Sequence, residues 1–159
     1  MSTDPCTGCA LHTVSTTRRV FLQEAGGGLV AAFLVALAPE TNANAATEKR
    51  YPIPSSDGAM IDRDAQVILV RYQNRVVALA LACPHQNAAV KWLPTDGRFQ
   101  CSKHDSRYTP DGVHTAGRAT RNMDRFPINR DGASVVIDVS RVYRSDQDAA
   151  GWAGAAISI

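Results

Sequence analysis

Cys83-Pro84-His85 and Cys101-Ser102-Lys103-His104 are two short segments that each pair a cysteine with a histidine, and fifteen residues separate them. Two loops that face each other could bring both thiolates to one metal and both imidazoles to a second. A [2Fe–2S] cluster held by Cys on one iron and by His on the other needs this donor set. The pattern therefore predicts a redox metal centre with four ligands: Cys83, His85, Cys101 and His104.

The spacing leaves two other interpretations open. Structural zinc sites mostly pair Cys with Cys and His with His, whereas each segment here mixes the two, so a non-redox zinc module is an outside alternative. A disulfide between Cys83 and Cys101 would suit an oxidising compartment. It would leave the two histidines, which stand at matched offsets, without a role.

The residues around both segments resemble a Rieske [2Fe–2S] domain over about 60–139, and beyond the ligands the likeness covers 104–108, 111–113, 117–121 and 125–128. The resemblance implies that Cys83 and Cys101 ligate the buried iron, while His85 and His104 ligate the iron nearest solvent. It also implies an all-β fold, a Rieske-like antiparallel β sandwich with a small cluster-binding subdomain, preceded by an N-terminal signal or anchor segment.

Ser106 and Tyr108 stand where high-potential members of the family direct hydroxyl groups at a bridging sulfide and a ligand sulfur. Such hydrogen bonds favour the reduced, more negative cluster and raise its reduction potential. The competing interpretation is that Ser106 caps a turn and that Tyr108 only packs.

The chain also departs from the family. Quinol-oxidising members usually carry a further cysteine in each ligand loop, joined as a disulfide, and Ala88 and Lys103 occupy those places. Gln86-Asn87 replaces the common Leu-Gly, and Asp105 replaces the Gly after the second histidine. The Asp105 carboxylate should lower the potential and raise the pKa of the imidazoles, against the effect of the two hydroxyl groups.

Hydrophobic patterning predicts the remaining organisation. Runs 66–72 and 76–81, joined by 73–75, indicate a hairpin. A second hairpin is predicted where 125–128 and 133–139 flank a turn at 129–132 that contains Asp-Gly. We expect a linker at 46–59, the Rieske domain at 60–140, and a C-terminal tail at 141–159 that forms an edge strand, frays or docks a partner.

The first 45 residues are predicted to direct export. Arg18 and Arg19 precede Phe21 and Leu22, and an uncharged run follows from Ala25 to Ala38, which resembles a twin-arginine signal. Cleavage after residues 43–45 is expected. An uncleaved membrane anchor over 20–38 is the alternative, although apolar runs of about 10–14 residues are more typical of signals than of spans. The expected location is the periplasm or the periplasmic face of the bacterial inner membrane.

Several residues receive no ligand role. Cys6 and Cys9 lie upstream of the arginine pair and would be lost with the signal, while His12 and His114 have no partner at ligand spacing. A net charge of +2 without a basic stripe excludes a nucleic-acid protein. With 159 residues the chain is also too short for an oxygenase with a second, mononuclear iron domain.

The resemblance implies an exported electron-transfer subunit of a respiratory complex rather than a stand-alone enzyme. Candidates are the quinol–cytochrome c reductase type and the arsenite oxidase small-subunit type, with a cytochrome b or c or a molybdopterin subunit as partner and quinol as a candidate substrate. A free periplasmic Rieske ferredoxin is the alternative.

Overall fold

The computed structural model describes residues 47–159, which form antiparallel β sheets and one short helix. In chain order the elements are β1 (Glu48–Pro52), β2 (Gly58–Asp62), β3 (Val67–Tyr72), β4 (Arg75–Ala80), β5 (Val90–Leu93), β6 (Arg98–Cys101), β7 (Arg107–Tyr108), β8 (His114–Ala116), β9 (Ile128–Asp131), β10 (Ser134–Asp138), α1 (Ala149–Gly154) and β11 (Ile157–Ser158). The predicted all-β class is confirmed.

The expectations for the N-terminal segment lie outside the described residues: the arginine pair, the cleavage site, Cys6 and Cys9. Within 47–159, no helix has the length and apolar character that a membrane crossing requires.

The strands form three sheets with the orders β1-β10-β9, β11-β4-β3-β2 and β5-β6-β7-β8. The β3–β4 hairpin belongs to the middle sheet and confirms the first predicted hairpin. Its two turn residues, Gln73 and Asn74, have φ values of 49° and 60°. Positive φ at both central positions is the turn geometry that matches the twist of paired strands.

Both faces of β3 and β4 are buried, which explains their nearly continuous hydrophobic sequence. Residues 67–70 are at most 1% exposed. Alternate side chains point to opposite faces of a strand, so Ile68, Val70, Val77 and Leu79 join one core and Val67, Leu69, Val76 and Ala78 join another. We call these the site core, which also contains Cys83, Cys101 and Tyr108, and the outer core, which contains β9 and β10 side chains.

Three segments differ from the sequence-based expectation. The expected linker 46–59 contains β1, which pairs with β10 over five residues. In the second hairpin the strand extends through Asp131, because the turn is at Gly132 with φ 60° rather than at 129–132. The tail 141–159 forms an edge strand, which was one of the expectations, since β11 pairs with the edge of β4; it differs in containing α1, which was not expected.

Arg125 fastens this C-terminal segment to the rest of the domain. The side chain is 1% exposed, and its guanidinium donates to the carbonyl oxygens of Asp111 at 2.7 Å and Trp152 at 3.0 Å. It also lies 3.7 Å from the Trp152 ring centroid, while the Trp152 indole donates to the Met123 carbonyl at 2.7 Å. We call Arg125, Asp111 and Trp152 the arginine clasp. Burial lowers the pKa of Arg125 to about 10, with the Asp111 carboxylate opposing that change.

Candidate metal centre

The first pair of candidate ligands lies on ligand loop 1, residues 81–89, between β4 and β5. The Cys83 backbone N–H donates to the Ala88 carbonyl at 2.8 Å, and the Asn87 N–H donates back to the Cys83 carbonyl at 2.9 Å. These two bonds close a tight turn around His85. A third, from the Val90 N–H to the Leu81 carbonyl at 3.0 Å, fixes the base of the loop.

The second pair lies on ligand loop 2, residues 102–106 together with Cys101 at the end of β6. The Cys101 N–H donates to the Ser106 carbonyl at 2.8 Å and closes this loop. Ser102 connects the loops, because its N–H and its Oγ both donate to the Ala89 carbonyl, at 3.3 and 2.9 Å. This contact lies one residue from Ala88 and from Lys103, where the family usually has its disulfide. Hydrogen bonds therefore join the loops at nearly the same place.

The structure pairs the two thiols and pairs the two imidazoles. Cys83 and Cys101 are free, buried and within hydrogen-bonding reach of each other, so the alternative disulfide is not formed. The rings of His85 and His104 meet edge to face, with centroids 4.9 Å apart. The Nδ1 atom of each ring is buried without a hydrogen-bond partner among the described residues.

Two orphaned Nδ1 atoms and two buried thiols fit a [2Fe–2S] cluster. Leaving a buried polar atom unsatisfied costs about 1–3 kcal/mol, and coordination to iron would satisfy both nitrogens. The Nε2 atoms differ from the Nδ1 atoms. Within 47–159 neither Nε2 makes a hydrogen bond, and neither is among the buried atoms that lack a partner. Since both rings are half-buried, their accessible edges carry Nε2.

A single-ion site is not apparent in the same residues. Within the described part of the chain, no three His, Cys, Asp or Glu side chains converge as they would around one metal ion. A [2Fe–2S] cluster of this kind needs two thiolates for one iron and two imidazoles for the other. The pairing of thiol with thiol and of imidazole with imidazole fits this cluster.

Tyr108 and Ser106 are both fully buried next to the thiols. The Tyr108 hydroxyl lies 3.2 Å from Cys83 Sγ, which is the contact that the resemblance implies. Burial and the Cys83 thiol raise the pKa of Tyr108 well above its usual range, so the phenol keeps its proton and can donate it. Ser106 Oγ accepts a hydrogen bond from the Ala119 N–H at 3.0 Å, and the Ser106 side chain opposes the rise in the Tyr108 pKa.

The two replaced glycines lie at positions that need a left-handed backbone. Asn87 has φ 55° and Asp105 has φ 53°. Asn and Asp tolerate the left-handed region better than other non-glycine residues. Asn87 and Asp105 can therefore stand where the family commonly has glycine. The exposed Asp105 carboxylate also accepts a hydrogen bond from Gln100 Nε2 at 2.9 Å.

Gly117 allows the loop after β8 to lie directly on ligand loop 2. Its φ is 96°, and a Cβ at this position would overlap the Ser106 Cα and approach the Ser106 N and the Asp105 carbonyl oxygen to 2.8 and 2.9 Å. The Ala119 N–H reaches Ser106 Oγ from the same loop. Residues 117–119 therefore form a lid over Ser106.

The local electrostatics acts on both ligand types. Partial burial lowers the pKa of His104, and repulsion from His85, Arg118 and Lys103 adds to this effect, with Asp105 opposing it. Burial raises the pKa of Cys101, but hydrogen bonds from the N–H groups of Lys103 and His104 and from Cys83 outweigh it, so the net direction is downward. Thiolate and neutral imidazole are the forms that bind metal.

His114, which the sequence analysis left without a role, also lies near this site. Its ring lies edge to face with Tyr108, at 5.6 Å between centroids, and its Nε2 is buried without a partner among residues 47–159. The one available signal was its position six residues after Tyr108, across a turn that contains Asp111-Gly112.

Comparison with known proteins agrees with this geometry. The family model for the Rieske [2Fe-2S] domain matches residues 53–127. Over 43 residues the chain is 42% identical to the cytochrome b6-f complex iron-sulfur subunit 3 of Nostoc sp. (strain PCC 7120), and this match spans 27% of the chain and 24% of that relative.

Two solved structures are similar at 20% sequence identity. One is the cyanobacterial plasma membrane Rieske protein from Synechocystis PCC 6803, with a TM-score of 0.42 over 58% of this chain and 87% of that one. The other is the ferredoxin of carbazole 1,9a-dioxygenase from Nocardioides aromaticivorans IC177, with a TM-score of 0.38 over 54% of this chain and 86% of that one.

Proposed function

We propose that this chain, which carries a Rieske [2Fe–2S] domain and is a Rieske-type electron-transfer protein, is the exported iron–sulfur subunit of a respiratory oxidoreductase complex. Its place would be the periplasm or the periplasmic face of the inner membrane. The twin-arginine pattern around Arg18 and Arg19 supports export. Folded export suits a protein whose cluster is inserted before it crosses the membrane.

The buried contact between the Tyr108 hydroxyl and Cys83 Sγ, at 3.2 Å, carries the proposal of a respiratory role. A hydrogen bond to a ligand sulfur stabilises the reduced state, in which the sulfur is more negative. It therefore favours the high-potential part of the Rieske range, about −150 to +300 mV. A carrier in that part of the range suits an electron donor such as quinol.

The two cysteines and the two histidines would have different roles at the cluster. When bound, the [2Fe–2S] cluster supplies reversible one-electron chemistry. Cys83 and Cys101 would hold it on the buried side, inside the site core. His85 and His104 would hold it through Nδ1 and keep Nε2 at the accessible edge, where each ring can release a proton to solvent or to a bound partner.

One relative and one departure from the family pattern indicate the kind of complex. The name of the Nostoc relative places that protein in a cytochrome complex, which supports a cytochrome b or c partner, although the match spans only a quarter of it. Ala88 and Lys103 in place of the disulfide cysteines keep the arsenite oxidase type, with a molybdopterin subunit as partner, as the second form of the proposal.

Native purification from the membrane fraction, with metal analysis and an electron-spin spectrum, tests the proposal. We expect two irons per chain, a Rieske spectrum and co-purification with a redox subunit. Cytochrome b would identify the quinol type, and a molybdopterin subunit the arsenite type. Recovery of the protein alone in the periplasm would refute the subunit role in favour of a free ferredoxin. Zinc in place of iron would refute electron transfer altogether.

A further inference from the structure

Lys103 and Arg118 are exposed cations next to the ligand His104. Lys103 directly precedes it in ligand loop 2. Arg118 belongs to the lid that packs on Ser106, and Ser106 is two residues from His104. We call this pair the cationic rim.

The lid over Ser106 fixes the position of Arg118. Gly117 lies against the Ser106 backbone, and the Ala119 N–H donates to Ser106 Oγ at 3.0 Å. Arg118 stands between these two contacts, so its backbone is held beside ligand loop 2 while its side chain remains exposed. The fold thus places this charge next to the accessible imidazole edges.

The rim charges are not neutralised by the protein. Most described arginines form ion pairs, for example Arg98 with Asp96 at 2.8 Å, but no pair within 47–159 involves Lys103 or Arg118. Ligand loop 1 has no Lys, Arg, Asp or Glu. Asp105 is the one acidic residue of the two loops, so the charge around the imidazoles remains positive.

We infer that the redox partner of this protein docks an acidic protein face on the cationic rim. Unpaired charges around a contact site steer an oppositely charged partner and orient it on encounter. The rim lies beside His104, whose accessible edge would carry electrons to and from the cluster. The inference rests on the proposed function and adds to it the sign of charge that the partner presents.

Two double variants with the same change in net charge test the inference. Lys103→Gln/Arg118→Gln removes the rim, and Lys49→Gln/Arg130→Gln removes two exposed charges from the β1-β10-β9 sheet as the matched control. Poly-L-glutamate serves as the acidic probe, and its affinity for the cluster-loaded protein is measured by calorimetry at low ionic strength. We expect the rim variant to bind it about threefold or more weakly than the control variant. Equal affinities would overturn the inference.

Electron transfer to small oxidants gives an independent measurement. The reduced protein passes one electron to hexacyanoferrate(III), which becomes hexacyanoferrate(II), and the rate should fall as ionic strength rises. With tris(phenanthroline)cobalt(III), a cation that becomes cobalt(II), the rate should rise instead. The rim variant should lose most of both dependences and the control variant should keep them. Dependences that are the same in the two variants would contradict docking at the rim.

The visible spectrum of each preparation distinguishes a failure of the proposed function from a failure of the inferred docking. A wild-type protein without a Rieske spectrum would refute the proposed function. An intact spectrum in all variants, together with identical binding and rates, would refute the acidic partner alone.

Discussion

Tyr108 and Ser106 contribute to the site in different ways, although both present a buried hydroxyl. Tyr108 contacts Cys83 directly, because its hydroxyl lies 3.2 Å from Cys83 Sγ. Ser106 also supports the lid, because its Oγ accepts the Ala119 N–H. Removing the serine oxygen would leave a buried N–H unsatisfied, at a cost of about 1–3 kcal/mol. The tyrosine therefore offers the cleaner test of a hydrogen bond to sulfur.

Tyr108→Phe should lower the reduction potential and leave the fold intact. A net hydrogen bond of about 1 kcal/mol corresponds to roughly 40 mV for one electron, so we expect a decrease of tens of millivolts in protein-film voltammetry. Tyr72→Phe, which removes a hydroxyl that accepts from Gln73, is the control. A Tyr108→Phe potential equal to wild type would mean that the hydroxyl only packs.

The accessible edges of His85 and His104 predict a pH-dependent potential. With a cluster bound, each imidazole would lose its Nε2 proton more easily when the iron that it ligates is oxidised, so reduction would take up a proton at alkaline pH. The potential should be flat near neutrality and then fall, by at most about 59 mV per pH unit for each proton. Voltammetry from pH 6 to 11 measures this, and a potential that stays level to pH 10 would count against exposed, titrating imidazoles.

At the scale of elements, the lid and the ligand loops act as one unit. The close approach of Gly117 to Ser106 leaves no room for a side chain. Gly117→Ala should therefore displace ligand loop 2 and reduce the iron content of the purified protein severely. Gly97→Ala is the matched control, because that glycine also has a positive φ, 58°, but has open space around it. Similar iron content in the two variants would show that the lid can move without loss of the site.

The Ser102 contact makes a second prediction at this scale. Ser102→Ala removes the Oγ bond to the Ala89 carbonyl and keeps the weaker backbone bond. The loss of this hydrogen bond should cost about 0.5–1.5 kcal/mol of stability where the loops are joined. The colour of the cluster should therefore bleach faster on heating. Ser56→Ala, an exposed serine distant in sequence, provides the comparison. Bleaching at the wild-type rate would show that the backbone bond alone joins the loops.

Sequence reasoning succeeded where the determinants are local. The β3–β4 hairpin has its turn chemistry in Gln73 and Asn74. The ligand assignment stays a prediction, and each Cys/His pair lies within one short loop. It failed where strands pair over long distances: β1 pairs with β10 about eighty residues later, and no local pattern marks that choice. The arginine clasp was missed for the same reason, since Arg125 and Trp152 stand 27 residues apart in the sequence.

At the scale of the whole molecule, Tyr51 joins two sheets. Its hydroxyl, on β1, donates to the Asp62 carboxylate, on β2, at 2.8 Å. Partial burial, with the hydrogen bond and the charge of Asp62 adding to it, raises the pKa of Tyr51 to about 12. The unfolded chain releases this proton near pH 10, so the stabilisation is fully present below pH 10 and is lost as the pH rises toward 12.

Denaturant unfolding between pH 8 and pH 12 checks this expectation. The wild-type free energy of unfolding should fall more steeply above pH 10 than that of Tyr51→Phe, which lacks the titrating group. Tyr72→Phe should follow the wild-type curve. Parallel curves for wild type and Tyr51→Phe would show that the contact with Asp62 does not affect the titration.

The arginine clasp has a consequence for biosynthesis. Trp152 and β11 are synthesised well after both ligand loops, yet Trp152 covers Arg125, and β11 completes the sheet that supports Cys83. On a ribosome the ligand loops would thus emerge long before the domain that shapes them could close. Cluster insertion would have to wait until that later segment has been synthesised and packed against Arg125.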